Sequence, residues 1–307
     1  MKLTTPMIKA FAHIAHGVST IESLARAEHK SLNRITEIVQ DLGKEGFIVK
    51  KRNPRLKGSR LSIEVASTIH AVKLRNIMIE YSSIHFEEIL ADSKILFLAA
   101  VCEDWMDIPT ATRLSKISRY AIDRYRPRLK NRGVIIRQKN LYKVNELAWH
   151  SLKEFLIAYK NYSQLNGIVQ WKYQDDILLE VDRENLIQGT VTGLADYDRY
   201  GVQVGTVTFL CALPKREVSK EELFVHSLFE IDDPRTLHLA LTFYLKNKLA
   251  YKKIMQFAMK YSKYTLFKRF VTLLKAKEDK VRLEGLPTFD RKDFIRIAHM
   301  YGVYDVP

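Results

Sequence analysis

The sequence predicts an α-rich α+β protein in which one small helical unit is used twice and a mixed α/β C-terminal domain with terminal helices follows. Three observations carry this: a gapless internal repeat, helical apolar spacing over most of the chain, and alternating β-branched runs confined to short segments. At 307 residues, 47% of them hydrophobic, the chain can bury more than one core, and 12 Gly and 8 Pro are too few for a disordered one. The longest purely apolar run, Ile95 to Cys102, has eight residues, against roughly 18 for a membrane span. No secretion signal is legible at Met1 to Pro6, so a cytoplasmic protein is expected, with no membrane partner. Fifty Lys and Arg against 35 Asp and Glu leave +15, which makes a polyanion the leading class of partner. Cys102 and Cys211 lie in apolar surroundings and read as small buried hydrophobes.

The repeat has an offset of 87. Met7 to Lys50 aligns on Lys94 to Arg137 with nine identities in 44 positions, among them Ile8 with Ile95, Arg26 with Arg113, Ser31 with Ser118, Leu42 with Leu129 and Gly46 with Gly133. In the first copy Thr5-Pro6 caps a helix carrying Ile8, Phe11 and Ile14 and ending at Gly17. Ser19 or Thr20 caps a short second helix, and Ser31 caps a third with Ile35, Ile38 and Leu42 on one face. After Gly46, Phe47 to Lys50 and Leu61 to Ile63 read as strands around turn formers at Asn53-Pro54 and Lys57-Gly58-Ser59. The second copy has Ser93 as cap, Ile108-Pro109 opening its second helix, Ser118 its third, and a hairpin from Val134 to Val144 turning at Lys139-Asn140. Pro127 falls inside the third helix and is expected to kink it or end it early.

Three helices and a basic hairpin resemble the winged helix-turn-helix, over residues 5–66 and 93–146. The resemblance implies duplex DNA as partner, with the third helix in the major groove and the hairpin on the backbone. In the first copy the candidate contacts are Ser31, Asn33, Arg34, Glu37 and Gln40 on the helix, with Asn33 and Gln40 suited to adenine and Arg34 to guanine. Its hairpin offers Lys50, Lys51, Arg52, Arg55, Lys57 and Arg60 within 11 residues. In the second copy they are Ser118, Arg119, Tyr120, Arg124, Arg126, Arg128, Lys130, Arg132, Arg137 and Lys139, where Asp123 is the one acid. Tyr125 aligns with Ile38 and reads as core. The bland alternative is a pair of protein-interaction modules with solvated charge.

The organisation expected is a first winged helix at 1–66, a linker helix at 67–92, a second winged helix with its following helix at 93–165, and a partner-binding or dimerising domain at 166–307. The linker carries Ile69, Val72, Ile77 and Ile84 at helical spacing, as does Leu147 to Tyr159, and such helices dimerise or connect winged units. Residues 166–239 carry −6 and 240–307 carry +9. Strands are expected at Gly189 to Gly193 and Val202 to Leu213. A helix follows Asp232-Asp233-Pro234 with Leu237, Ala240, Leu241, Tyr244 and Leu245 on one face, then further helices at Tyr251 to Tyr261 and Tyr264 to Lys277.

Asp233-Pro234-Arg235-Thr236-Leu237, opening a helix, and Ile254 to Leu274 with Leu266-Phe267-Lys268-Arg269-Phe270 are similar to the C-terminal domain of AbiEi-type antitoxins of type IV toxin–antitoxin systems, over residues 185–275. That resemblance implies an autorepressor and a nucleotidyltransferase-like toxin as partner, although two winged helices stand here where the family has one.

No enzyme is expected. Asp175, Asp176, Glu180 and Asp182 come closest to the carboxylates of a metal-dependent nuclease, but Glu180-Val181-Asp182 lacks the lysine of a Glu-x-Lys pattern. Asp196 and Asp198 read as cap or surface acids, His13 and His16 have no ligand set around them, and neither nucleotide-cradling glycine motif nor nucleophile elbow occurs. No cofactor follows. The function expected is sequence-specific transcriptional regulation on double-stranded DNA, with a homodimer on a palindromic site as one mode and a plasmid or viral replication initiator on iterated sites as the alternative.

Overall fold

Caps and left-handed residues divide the N-terminal chain into short elements that recur with a spacing of 87. The computed structural model describes residues 3–52, 61–162, 167–182, 189–276 and 278–306. It is a helix-rich α+β structure with several small sheets, in two units: Met1–Glu103 with Ala111–Tyr162, and Asp104–Thr110 with Ser163–Pro307.

In the first unit α1 (Thr5–Ala15) is followed by α2 (Ile21–Glu28), α3 (Leu32–Lys44) and the antiparallel strands β1 (Ile48–Arg52) and β2 (Leu61–Val65). The N-cap of α1 is Thr4, one residue before the expected Thr5, because Pro6 sits in the first turn rather than at its start. Thr20 caps α2 by accepting the Ser23 N–H at 3.1 Å. The linker is two helices, α4 (Ile69–Glu80) and α5 (Phe86–Leu90), where one was expected. Its inward face is His70, Ala71, Leu74, Ile77 and Met78, and Ile69 is 70% exposed.

The second copy follows as α6 (Ser93–Ala100), the two-residue β3 (Met106–Asp107), α7 (Ile108–Ser115), α8 (Arg119–Asn131), and the antiparallel strands β4 (Ile135–Gln138) and β5 (Leu141–Val144). Asp92, not Ser93, is the N-cap residue of α6, at φ 59° and without a side-chain bond. Pro127 does not end α8, which matches the 13 residues of α3. A proline forfeits one helical hydrogen bond, and the last turn is still closed by Arg132 N–H to Arg128 O and Val134 N–H to Leu129 O. The following helix, α9, spans His150–Asn161 and leaves Leu147 99% exposed outside it.

Helices α4 and α9 pack on one another and on the end of the first copy. Phe47, His70, Phe155 and Tyr159 stack in one cluster, Tyr159 Oη donates to Glu45 at 3.1 Å, and Lys73 pairs with Glu154 at 2.8 Å. Of the face that suggested dimerisation, Ile77 is buried within the chain and Ile69 stays exposed. Lys160 of α9 is buried and is held by an ion pair to Glu103. Cys102 is buried, donates to Ala99 O at 3.2 Å, and has its thiol pushed up to about 12 by burial.

The second unit is built on an antiparallel sheet of β6 (Ile168–Tyr173), β7 (Asp176–Asp182), β8 (Thr190–Thr192) and β9 (Thr208–Leu213), in the order β6-β7-β9-β8. Leu179, Val181 and Cys211 form its core. Val202–Val207 was expected to extend β9, but it is not a strand. Its place follows a 3-10 helix at Gly193–Tyr200, and the sheet register begins at Thr208. The helices are α10 (Lys220–Ser227), α11 (Pro234–Lys246), α12 (Tyr251–Lys260), α13 (Tyr264–Leu274) and α14 (Arg291–Met300), with a short ladder of β10 (Lys280–Val281) and β11 (Phe289–Asp290) before the last.

Asp233 opens α11 with a capping box, its carboxylate accepting the Thr236 N–H at 2.8 Å. The face expected of this helix is too narrow, since Leu237 to Phe243 are buried without interruption and Tyr244 and Leu245 only partly. Asp104 explains why its segment belongs to this unit: its carboxylate accepts from Thr265 N at 2.8 Å and Thr265 Oγ1 at 2.6 Å.

A polar network fills the middle of the unit. Arg216 donates to both oxygens of Glu222 at 2.8 and 2.9 Å, and Tyr261 donates to the same carboxylate. Burial opposes ionisation there, yet these bonds hold the Glu222 carboxyl below its ordinary range. His226 is fully buried, which pushes it down to about 3, and its Nδ1 meets Thr192 Oγ1 at 2.8 Å. Glu230 accepts the Leu194 N–H at 2.7 Å and is pushed up to about 8 by burial. The unfolded chain ionises this group from its ordinary 4.5 upward whereas the folded chain retains the proton, so the term lowers stability as pH rises between those values. Glu230→Gln keeps an acceptor for Leu194 and removes the titration. Urea midpoints at about pH 5 and pH 8 should therefore differ less in the variant, by more than about 1 kcal/mol of unfolding free energy. Equal pH dependence in both proteins would contradict the assignment.

Candidate nucleic-acid interface

The capping serines set the phase of the two third helices. Ser31 Oγ accepts the Arg34 N–H at 3.3 Å and Ser118 Oγ accepts the Ala121 N–H at 3.2 Å. Both serines are exposed, and their hydroxyls are engaged in the cap. The helices then bury equivalent residues, Ile35 and Leu42 in α3 and Ile122 and Leu129 in α8, so the opposite faces are equivalent too.

With 3.6 residues per turn, positions four, seven and eleven residues on share one stripe. In α3 that stripe is Asn33, Glu37, Gln40 and Lys44, all exposed. Arg34 flanks it and is tied to Glu37 at 2.6 Å, and Lys44 stands 3.8 Å from Asp41. Arg34 and Lys44 against Glu37 and Asp41 give α3 no net charge. Its face is a row of hydrogen-bonding groups.

In α8 the corresponding stripe is Tyr120, Arg124, Pro127 and Asn131, again exposed, and Tyr120 is 80% so. Arg119, Arg124, Arg126, Arg128 and Lys130 against Asp123 give this helix +4. Asp123 is shared by Arg126 at 3.0 Å and Arg119 at 3.6 Å. Among the described residues Arg124, Arg128, Lys130 and Lys139 have no acidic partner, whereas Arg132 pairs with Glu88. Arg126 is half-buried and lies over the Tyr142 ring at 5.2 Å, with Arg137 over the same ring at 5.8 Å. Arg137 also donates to Lys139 O. These two arginines join α8 to the β4–β5 hairpin through the ring as well as presenting charge. Tyr125 is half-buried beside Phe97 and donates to Ser93 O at 3.4 Å, and burial raises its phenol well above the ordinary value.

On the first hairpin Lys50 and Lys51 are exposed, and Lys51 pairs with Glu64 at 2.7 Å. Arg52 ends β1, with its side chain outside the described residues, as are Arg55, Lys57, Arg60 and the turn formers between the strands. Lys44 and Asn131 complete the stripes and were missed from the sequence, although the same helical spacing, carried one turn further, finds them.

Two of the four carboxylates considered for a nuclease are engaged elsewhere. Asp176 pairs with Lys260 at 3.2 Å and Glu180 accepts from Gln170 at 2.6 Å, and no metal-ligating group of three gathers among the described residues. Asp196 pairs with Arg199 at 2.9 Å, and burial raises its carboxyl above the ordinary range. His13 lies 3.2 Å from Glu28, and His16 bonds Ala12 O at 2.7 Å. Comparisons with family models, curated proteins and solved structures returned no match to the chain.

Because both faces depend on their caps, Ser31→Ala and Ser118→Ala should each destabilise the first unit by about 1 kcal/mol. Urea denaturation read on that unit measures this, and a neutral change in both would mean that the serines do not set the helices.

Proposed function

We propose that the chain is a sequence-specific duplex-DNA-binding protein of the regulatory kind, in which two winged helix-turn-helix copies divide recognition between them. The observation that carries this reading is the equivalence of α3 and α8 in length, cap and closing turn, combined with their opposite chemistry. A helix with no net charge and a row of Asn, Glu and Gln suits base edges, whose donors and acceptors differ in the major groove. A helix of +4 with unpaired Arg and Lys suits phosphates, which fix position without reading sequence. The first copy therefore reads and the second anchors. The two copies sit in one chain, so a pair of half-sites requires no second protomer, and the α4–α9 contact supplies the connection.

Selection from a randomised duplex pool, followed by anisotropy titration of the selected and a scrambled duplex at about 50 and 200 mM salt, tests the reading. The selected duplex should bind more tightly at both salts. Asn33→Ala with Gln40→Ala should reduce the preference by about tenfold or more while leaving the salt slope unchanged. Arg124→Gln with Lys130→Gln should weaken both duplexes alike and lower the slope by about two. Absence of any selected sequence, or of binding to either duplex, would sink the proposal. Glu37→Gln releases Arg34 and removes a carboxylate from the reading face, so it should tighten the scrambled duplex more than the selected one, and the opposite order would contradict a reading role for Glu37.

A further inference from the structure

A cavity of about 400 Å³ in the first unit is lined by Glu88, Lys94, Arg128, Leu129, Asn131 and Arg132. Its charge is unbalanced, with three cations facing one carboxylate. Glu88 is already paired with Arg132, and Lys94 Nζ donates to the Glu87 carbonyl at 3.1 Å, with the Asp92 carboxylate near enough to act on its charge. Arg128 is exposed and has no acidic partner among the described residues. Lys94 is the second residue of α6, whose cap residue Asp92 offers no side-chain acceptor to the first-turn amides. Tyr125 binds Ser93 O and so fixes the start of α6 against α8.

The cations of the cavity have no counterpart in the first copy. At the offset of 87, Lys94, Arg128 and Arg132 correspond to Met7, Asp41 and Glu45. Duplication has put acids or an apolar residue at every position where the cavity carries a cation. Glu88 offsets part of the repulsion among these cations, and an anion between them offsets the rest. Burial holds the Lys94 ammonium below its ordinary pKa, against the opposing pull of the Asp92, Glu88 and Glu87 carboxylates, and Arg128 adds to the lowering.

We propose that this cavity binds a phosphate group, with Lys94, Arg128 and Arg132 as the charged donors and Asn131 as a neutral one. A tetrahedral oxyanion can accept from several forked and point donors at once, and charge-assisted bonds of this kind are the strong ones. The group belongs either to a free phosphate monoester or to a nucleic-acid backbone. The site does not require the duplex reading above.

Isothermal titration of the full chain with inorganic phosphate, at constant ionic strength, tests it. One site is expected. Arg128→Gln and Lys94→Gln should each weaken it by about tenfold or more, while Lys252→Gln, an exposed cation of the second unit, should leave it unchanged. Arg128 is exposed and unpaired, so its variant keeps the fold even if that of Lys94 does not. Repeating the titration on a preformed complex with a 20-base-pair duplex separates the sources: abolished phosphate binding assigns the cavity to the DNA backbone, and unchanged binding assigns it to a free phosphate monoester. No heat with the wild-type chain, or heat that survives both cavity substitutions, overturns the proposal. The duplex reading is tested by its own titrations, so either can fail alone.

Discussion

A left-handed glycine closes the third helix of each copy, and the geometry of the basic surface follows from that turn. Gly46 and Gly133 stand at φ +75° and +66°, where a side chain is strained. In each, the glycine N–H returns to the carbonyl three residues back, Gly43 or Lys130, and the next N–H returns five back, from Phe47 to Leu42 and from Val134 to Leu129. These bonds satisfy carbonyls that the helix end would leave open, and they bury Phe47 and Val134 at the moment the chain reverses into a strand. The same pair of bonds turns each helix into its first strand. Different side chains on two equivalent helices make α3 neutral and α8 cationic.

The aromatic cluster of Phe47, His70, Phe155 and Tyr159 carries the next level of order. It joins the end of the first copy to a linker helix and to the helix that follows the second copy. Burial of these rings, with the Tyr159–Glu45 bond and the Lys73–Glu154 pair, ties the first copy to the helices on either side of the second. The linker is thereby packed rather than free, so a ligand that contacts both copies has no flexible linker to order, which would otherwise cost entropy on binding.

Local signals made most of the first unit legible. Ser31, Ser118, Thr20, Gly46 and Gly133 act through bonds within a few residues, so the sequence alone locates α2, α3, α7 and α8. The misses have physical causes. Pro127 removes one hydrogen bond from a helix that keeps its other constraints, so it is tolerated. The linker's expected face is Ile69, Val72, Ile77 and Ile84, of which Ile77 is buried, but the tertiary partner α9 turns His70 and Leu74 inward and leaves Ile69 exposed. In α11 burial runs nearly around the helix, which erases the periodicity that an amphipathic reading needs. The ionic occupancy of the candidate site was not legible either. Asp123, Glu64 and Glu88 are the counter-charges of Arg126, Lys51 and Arg132, and the last two pairs span residues far apart in the chain.

The central claim is that two equivalent helix faces meet one duplex with different chemistry. Ultraviolet crosslinking of the full chain to a selected duplex carrying photoreactive bases and, separately, photoreactive backbone positions, followed by peptide mapping, examines it most directly. The account predicts base crosslinks in the peptide that contains Asn33 to Lys44 and backbone crosslinks in the peptide that contains Arg119 to Lys130. Base crosslinks in the second helix with none in the first, or crosslinks confined to the second unit, would contradict it.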